Sequence, residues 1–273
     1  VEIQVLGPLA GSIGGVSFIP SASKSRQVLA LLVLNANRIV SISALQRELW
    51  RDNPPQSALT TLQTYILQIR KLLTHALDPA GPIKAKDLLV TNLNGYTFHL
   101  EPGRLDIDVY RSFVARGQAA LTVNDCQRAS EILGRALRMW RGAALDEVHL
   151  GPLLEIQAMR LEESRAAALE LRIDADLRLG RHNQVVSELI ALTAEHRFNE
   201  SLHGQLMTAL HRSGRRAEAL SLYHRLRISF IEELGLEPSP RLQQLQRAVL
   251  VCDPALDEEG TMWSSYAVSR PTR

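Results

Sequence analysis

Ser57-Ala-Leu-Thr-Thr-Leu-Gln-Thr-Tyr-Ile-Leu-Gln-Ile-Arg-Lys-Leu-Leu73 is the stretch on which the reading of this chain turns. Within it Leu62, Ile66, Ile69 and Leu73 recur at steps of four, three and four. At 3.6 residues per turn that spacing predicts a helix with one buried stripe. The outer face carries Thr60, Thr64, Leu67 and Lys71, with Ser57, Gln63 and Gln68 at its edges, and no carboxylate. A helix face kept only for solvation usually mixes Glu with Lys, because i,i+4 pairs of opposite charge stabilise it. Hydroxyls, amides and a single Lys instead suit base edges and phosphate oxygens. A plain polar helix is the competing reading, and the neighbouring segments decide between the two.

Upstream, Val1–Leu6 alternates apolar and polar residues and closes on Gly7-Pro8, the pattern of a short strand. Gly11 to Gly15 followed by Val16-Ser-Phe-Ile19 predicts two further strands around a tight Gly-Gly turn. Lys24 to Asn35 reads as a first helix, closed by Asn35-Ala-Asn37. Ser41 or Ser43 offers a cap for a second helix over Ala44–Trp50, with Glu48 placed as a capping-box acid for a start near Leu45. Asp52-Asn-Pro-Pro55 breaks the chain before the third helix, so helices two and three form a helix-turn-helix. After Asp78-Pro-Ala-Gly-Pro82 come two predicted strands, Asp87–Thr91 and Tyr96–Leu100, with Asn94-Gly95 as the hairpin turn. Strands, three helices and a terminal hairpin make an α+β winged helix-turn-helix over residues 1–104, the hairpin being the wing. A generic α+β domain that binds protein is the alternative.

From Asp106 to about Leu250 the pattern is helical, with stretches near Val109–Leu121, Cys126–Trp140, Leu153–Leu179, Gln184–His196, Ser201–Ser213, Ala217–Leu234 and Pro240–Leu250. Gly180-Arg181 and Gly214-Arg215 each separate two amphipathic helices and lie 34 positions apart. That offset is the period of tetratricopeptide-type helix hairpins. Leu206, Ala209, Leu210, Ala217, Ala219 and Tyr223 supply the large and small residues with which such hairpins pack. Residues 105–250 are therefore expected to be an all-α, tetratricopeptide-like repeat domain, and 251–273 a flexible tail or linker.

The formal net charge of +2 hides an asymmetry: residues 1–104 hold ten Lys/Arg against six Asp/Glu, and all four lysines of the chain. A modestly basic first domain is compatible with nucleic acid. Cys126 and Cys252 stand far apart without a CxxC or Cys/His cluster, and reduced thiols are expected. No stretch approaches the ~18 apolar residues of a membrane span, and the opening residues show no secretory pattern, so a cytoplasmic, nucleoid-associated protein with no membrane partner is expected. GxSxG, Walker, HExxH and GxGxxG motifs are absent, so no enzyme activity and no cofactor or metal are expected. Asp106-x-Asp108 fits a helix cap at a domain junction better than a cation site.

Leu29-Ala-Leu-Leu, Glu48-Leu-Trp50, Leu62-Gln-Thr-Tyr-Ile66 with Ile69-Arg70, and Gly95-Tyr96 resemble the DNA-binding domain of the Streptomyces antibiotic regulatory proteins. Asp106-Ile-Asp108, Ala136-Leu-Arg-Met-Trp-Arg-Gly142, Ala175-Asp-Leu-Arg-Leu-Gly-Arg181 and Glu195-His196 resemble the bacterial transcriptional activator domain that follows it there. Leu206-Met-Thr-Ala-Leu210, Ser213-Gly-Arg215, Ala219-Leu-Ser-Leu-Tyr223 and Glu232-Glu-Leu-Gly-Leu-Glu-Pro238 continue that match. The resemblance covers residues 1 to about 250. It implies an OmpR-like winged helix, the output domain of two-component regulators, fused to a helical repeat domain. It further implies an activator of antibiotic biosynthesis genes that sits as a homodimer on direct repeats near the promoter −35 region and recruits RNA polymerase holoenzyme. Relatives often carry a basic residue where Thr60, Gln68, Asn92 or Thr97 stands here.

On this reading the third helix enters the major groove, and Thr60, Gln63, Thr64 and Gln68 reach base edges. Lys71 and Arg70 approach the backbone; Arg70 has a second available role, bracing Glu48 or Asp52. Lys24 and Arg26 begin the first helix, where free N–H groups also favour phosphate, or where the cations are simply solvated. Asn92 and Asn94 at the wing tip either touch the minor groove or shape the turn, and for Asn94 the turn is the better reading. Trp50 and Tyr65 are expected in the core. A protein-interaction scaffold is the rival class, separated from this one by whether residues 1–104 bind specific DNA.

Overall fold

The computed structural model describes residues 1–256 of the 273; the expected tail over 251–273 therefore lies mostly outside the described residues. The chain divides into two compact units, residues 1–113 with 135–166, and residues 114–134 with 167 onward.

In the first unit β1 (Glu2–Gln4), β2 (Ala10–Ile13) and β3 (Val16–Ser17) form an antiparallel sheet in that order. The β2–β3 turn is Gly14-Gly15, at φ 57° and 85°, angles that cost glycine nothing and a side chain a good deal. Then come α1 (Ser23–Leu34), β4 (Val40–Ser41), α2 (Ile42–Trp50) and α3 (Ala58–Ala76). They are followed by α4 (Ala85–Leu88), β5 (Leu89–Asn92) and β6 (Gly95–Phe98). A second antiparallel sheet has the order β4-β6-β5. The α3 stripe falls as its spacing requires: Leu62, Ile66, Ile69 and Leu73 are buried, among Phe18, Val28, Leu29, Leu32, Leu45 and Phe98. Each such fully buried aliphatic or aromatic side chain contributes about 1.5–3 kcal/mol. Trp50 and Tyr65 are only half-buried.

Three local readings change. β4 is two residues long, too short for any periodicity to reveal, and exists because Val40 and Ser41 pair with Tyr96 and Gly95 of β6. The wing turn is Leu93-Asn94, one residue before the expected Asn94-Gly95, since Asn92 pairs with Gly95. Gly95 answers to packing instead: a Cβ there would lie 2.1 Å from the Val40 carbonyl oxygen. Glu48 is no capping-box acid. Ser41 caps α2, its Oγ accepting from Ala44 N at 3.1 Å, so the box position is Ala44 and Glu48 lies a full turn further on.

Glu48 is 2% exposed. Its Oε1 accepts from Gly151 N (2.6 Å) and Gln27 Nε2 (3.0 Å), and its Oε2 from Leu153 N (2.8 Å) and Leu154 N (3.2 Å). The carboxylate thus serves the free first-turn N–H groups of α7 (Pro152–Arg178). Asp106, the first residue of α5 (Asp106–Thr122), likewise accepts from Val5 N and Leu6 N. Between α6 (Cys126–Leu137) and α7 the chain returns to the first unit. Arg141 N and Leu145 N donate to the Leu6 and Val5 carbonyls, and Trp140 meets Tyr110 edge-on at 5.6 Å. The compact unit therefore takes in residues 135–166.

The second unit packs α8 (His182–Glu195), α9 (Glu200–Arg212), α10 (Arg216–Ser229) and α11 (Pro240–Val251) with the end of α7. α7 and α9 end alike. Gly180 and Gly214 take φ 72° and 74°. Behind them Arg181 N donates to Asp176 O and Arg215 N to Leu210 O, the six-to-one bond of a Schellman cap. The 34-residue offset is thus a repeated helix ending. Leu206, Ala209, Leu210, Ala219 and Tyr223 are buried between the helices, whereas Ala217, expected among them, is exposed. The helix expected to run on to Leu234 instead passes into a π turn at Phe230–Leu234. Pro254–Leu256 forms a 3-10 turn with Leu256 buried.

Candidate nucleic-acid interface

α3 presents Thr60, Gln63, Thr64, Leu67, Gln68 and Lys71 as exposed residues on the face opposite its core stripe. The hydrogen bonds inside this face give its members distinct polarity. The Thr64 hydroxyl donates to the Thr60 carbonyl at 3.0 Å, so outward it can only accept, as from an adenine or cytosine amino group. Ser25 Oγ donates to Gln68 Oε1 at 2.6 Å, which leaves the Gln68 NH2 as an outward donor for guanine, thymine or a phosphate. This Ser25–Gln68 bond spans 43 residues and carries no signal in the sequence.

Of the four expected phosphate-binding cations, three are already engaged within the first unit. Arg70 is half-buried; its Nε and Nη2 donate to the Leu89 carbonyl at 3.1 and 2.7 Å, and Nη2 also to Thr91 Oγ1 at 2.7 Å. It braces α3 against strand β5 of the wing, not against Glu48 or Asp52. Lys24 Nζ donates to Leu49 O at 2.5 Å, near the C-terminal end of α2, where a cation complements the helix dipole. Arg26 donates to the carbonyls of Pro20, Ser21 and Glu147. Lys71 is exposed on α3 between Leu67 and Thr74, and is the helix-three cation not drawn into those braces.

In the wing, Asn92 Nδ2 donates to Thr97 Oγ1 at 2.8 Å, and Thr97 is buried, so this pair links the two strands of the hairpin. Asn94 is exposed and its backbone carbonyl accepts from Ile42 N at 3.0 Å, which ties the turn to the start of α2. Leu93 beside it is 96% exposed. No described helix is long and apolar enough to cross a membrane.

A three-helix core with an exposed third helix and a hairpin wing, followed by paired helices, defines a winged helix-turn-helix transcriptional regulator. Residues 18–98 match the family described as transcriptional regulatory protein, C terminal, and residues 105–250 match the bacterial transcriptional activator domain. The chain is 46% identical to regulatory protein DnrI of Streptomyces peucetius over 95% of this chain and 96% of that protein. It is 38% identical to regulatory protein AfsR of Streptomyces coelicolor over the whole of this chain but only 27% of that longer protein. A solved structure of Mycobacterium tuberculosis EmbR in complex with a low-affinity phosphopeptide superposes with a TM-score of 0.87 at 32% identity, covering 97% of this chain and 69% of that one. The chain belongs to the family of Streptomyces antibiotic regulatory proteins: it is a transcriptional regulator, not an enzyme.

Proposed function

We propose that the protein activates transcription of antibiotic or other secondary-metabolite genes by binding direct repeats near the −35 region and recruiting RNA polymerase holoenzyme. It acts as a homodimer on DNA, in the cytoplasm and at the nucleoid. The observation that carries this reading is the acid-free exposed face of α3, with Lys71 at its C-terminal end. α3 lies in the major groove, with Thr60, Gln63, Thr64 and Gln68 against base edges and Lys71 on the backbone. Asn94 at the wing tip approaches the adjacent backbone. Lys24, Arg26, Arg70 and Asn92 hold the helices and the wing in the geometry that allows this docking. The 105–250 domain supplies the surface for the polymerase.

The test is selection of bound sequences from a random DNA library by the full chain. Affinity for the selected site and for a scrambled control is then measured at several salt concentrations. A specific site is expected, with log K falling against log salt at about −0.9 per phosphate neutralised. Thr64→Ala should lose about 1–3 kcal/mol on the selected site and little on the control, whereas Lys71→Ala should weaken both and flatten the slope by about one phosphate. Enrichment of no sequence at all would overturn the DNA reading in favour of a protein-interaction scaffold.

A further inference from the structure

We propose that Leu67 is a specificity residue that reads the C5-methyl group of a thymine, which sets one obligatory A·T pair in each half-site; this rests on the DNA reading of α3 above. Leu67 is 53% exposed. It stands three residues after Thr64, four before Lys71 and seven after Thr60, which on a helix makes Thr64 and Lys71 its immediate neighbours along the outer stripe and puts Thr60 on the same stripe two turns back. The core stripe of α3 is filled by Leu62, Ile66, Ile69 and Leu73 on the opposite side, so folding does not bury Leu67. A single exposed leucine is ordinary on a protein surface. This one is different because of where it sits: any surface that covers Thr60, Thr64 and Lys71 must also cover Leu67.

The neighbours argue for DNA as that surface. Gln63, Thr64, Gln68 and Lys71 are polar and exposed, so Leu67 is an isolated apolar point and not part of a hydrophobic patch that would seat a protein helix. In the major groove every base-pair edge offers hydrogen-bonding groups, and the thymine methyl is the largest apolar group, standing where cytosine has only a C5 hydrogen. A leucine pressed against amino or carbonyl groups would strip their water and return no bond. Pressed against a methyl it removes apolar surface of both partners from water. Leu67 therefore accepts a thymine at its position and penalises the alternatives, while Thr64 as acceptor and Gln68 as donor read its neighbours.

Deoxyuridine isolates the contact, because it removes the C5-methyl and leaves every hydrogen-bonding group of thymine in place. Each thymine of the selected site is replaced in turn by deoxyuridine, and dissociation constants are measured for the full-length wild type and for Leu67→Ala. Wild type should lose about fourfold in affinity at one thymine per half-site, the partition of one buried methyl. Leu67→Ala should bind thymine and deoxyuridine equally there, while deoxyuridine effects at other positions persist. Its thermal melting should stay close to wild type, since Leu67 is 53% exposed and lies on the face opposite the core stripe. A Leu67→Ala profile identical to wild type at every thymine would overturn the proposal while leaving specific DNA binding intact. Failure of the wild type to select any sequence would instead remove the DNA reading, and this inference with it.

Discussion

Glu48→Gln keeps the size of the side chain and removes the charge from a group that serves four donors at once. Its oxygens accept from Gly151 N, Leu153 N, Leu154 N and Gln27 Nε2 at 2.6, 2.8, 3.2 and 3.0 Å. A glutamine in the same place keeps one carbonyl oxygen and turns an NH2 group toward two of those N–H groups. Two charge-assisted bonds are lost, each worth about 1.5–3 kcal/mol, and the donors are left facing each other in a buried site. There is little room to relax, because a Cβ on Gly151 would already lie 2.0 Å from the Glu48 carbonyl oxygen. A first-turn shift of α7 recovers part of the loss, so a destabilisation of about 3 kcal/mol is expected, with Glu48→Ala at least as severe. Urea unfolding of the full chain should show the midpoint falling at unchanged slope. Native-state hydrogen exchange should show Gly151, Leu153 and Leu154 losing protection together. An unchanged midpoint, with those three amides as slow as before, would refute the view that this carboxylate holds the start of α7.

Gly95→Ala should lower stability by about 2–4 kcal/mol, because the new Cβ meets backbone atoms of Val40 and Ser41 that cannot swing aside; thermal melting checks it, with loss of β4–β6 amide protection expected. Arg70→Lys removes the fork on Leu89 O and Thr91 Oγ1 and should cost about 1–2 kcal/mol of stability. It should also weaken DNA binding at an unchanged salt slope, whereas a slope shallower by about one phosphate would make Arg70 a phosphate ligand. His203 is buried with its Nε2 on the Arg197 carbonyl, and burial holds its pKa below the ordinary histidine value against the opposing pull of that carbonyl and Glu200. The unfolded chain then binds the proton first, so stability should fall as pH drops below about 6.5 and level off beneath the depressed pKa. Urea midpoints between pH 7 and 5 should show that fall in the wild type and a flatter profile in His203→Gln.

Residues with local jobs were the ones their neighbours in sequence announced. The α3 stripe is set by helical period alone, and Leu62, Ile66, Ile69 and Leu73 are all buried. The paired endings at Gly180 and Gly214 are equally local, because a left-handed residue after a helix is a property of a few consecutive peptide units. The outward face of α3 follows from the same period. What that face offers does not, since Thr64 is an acceptor because of Thr60 one turn back, and Gln68 a donor because of Ser25 on another helix.

The amino-acid sequence by itself thus determined the class of the domain, the order of its helices and which side of α3 is free. Only the tertiary structure decided the work of the charged residues. Glu48, Asp106, Arg70, Lys24 and Arg26 each meet backbone groups between 5 and 121 residues away. A buried or half-buried charge must find partners wherever the fold leaves N–H or C=O groups open. Those openings arise at helix ends and strand edges that exist only once the distant segments have packed, so spacing along the chain cannot announce them.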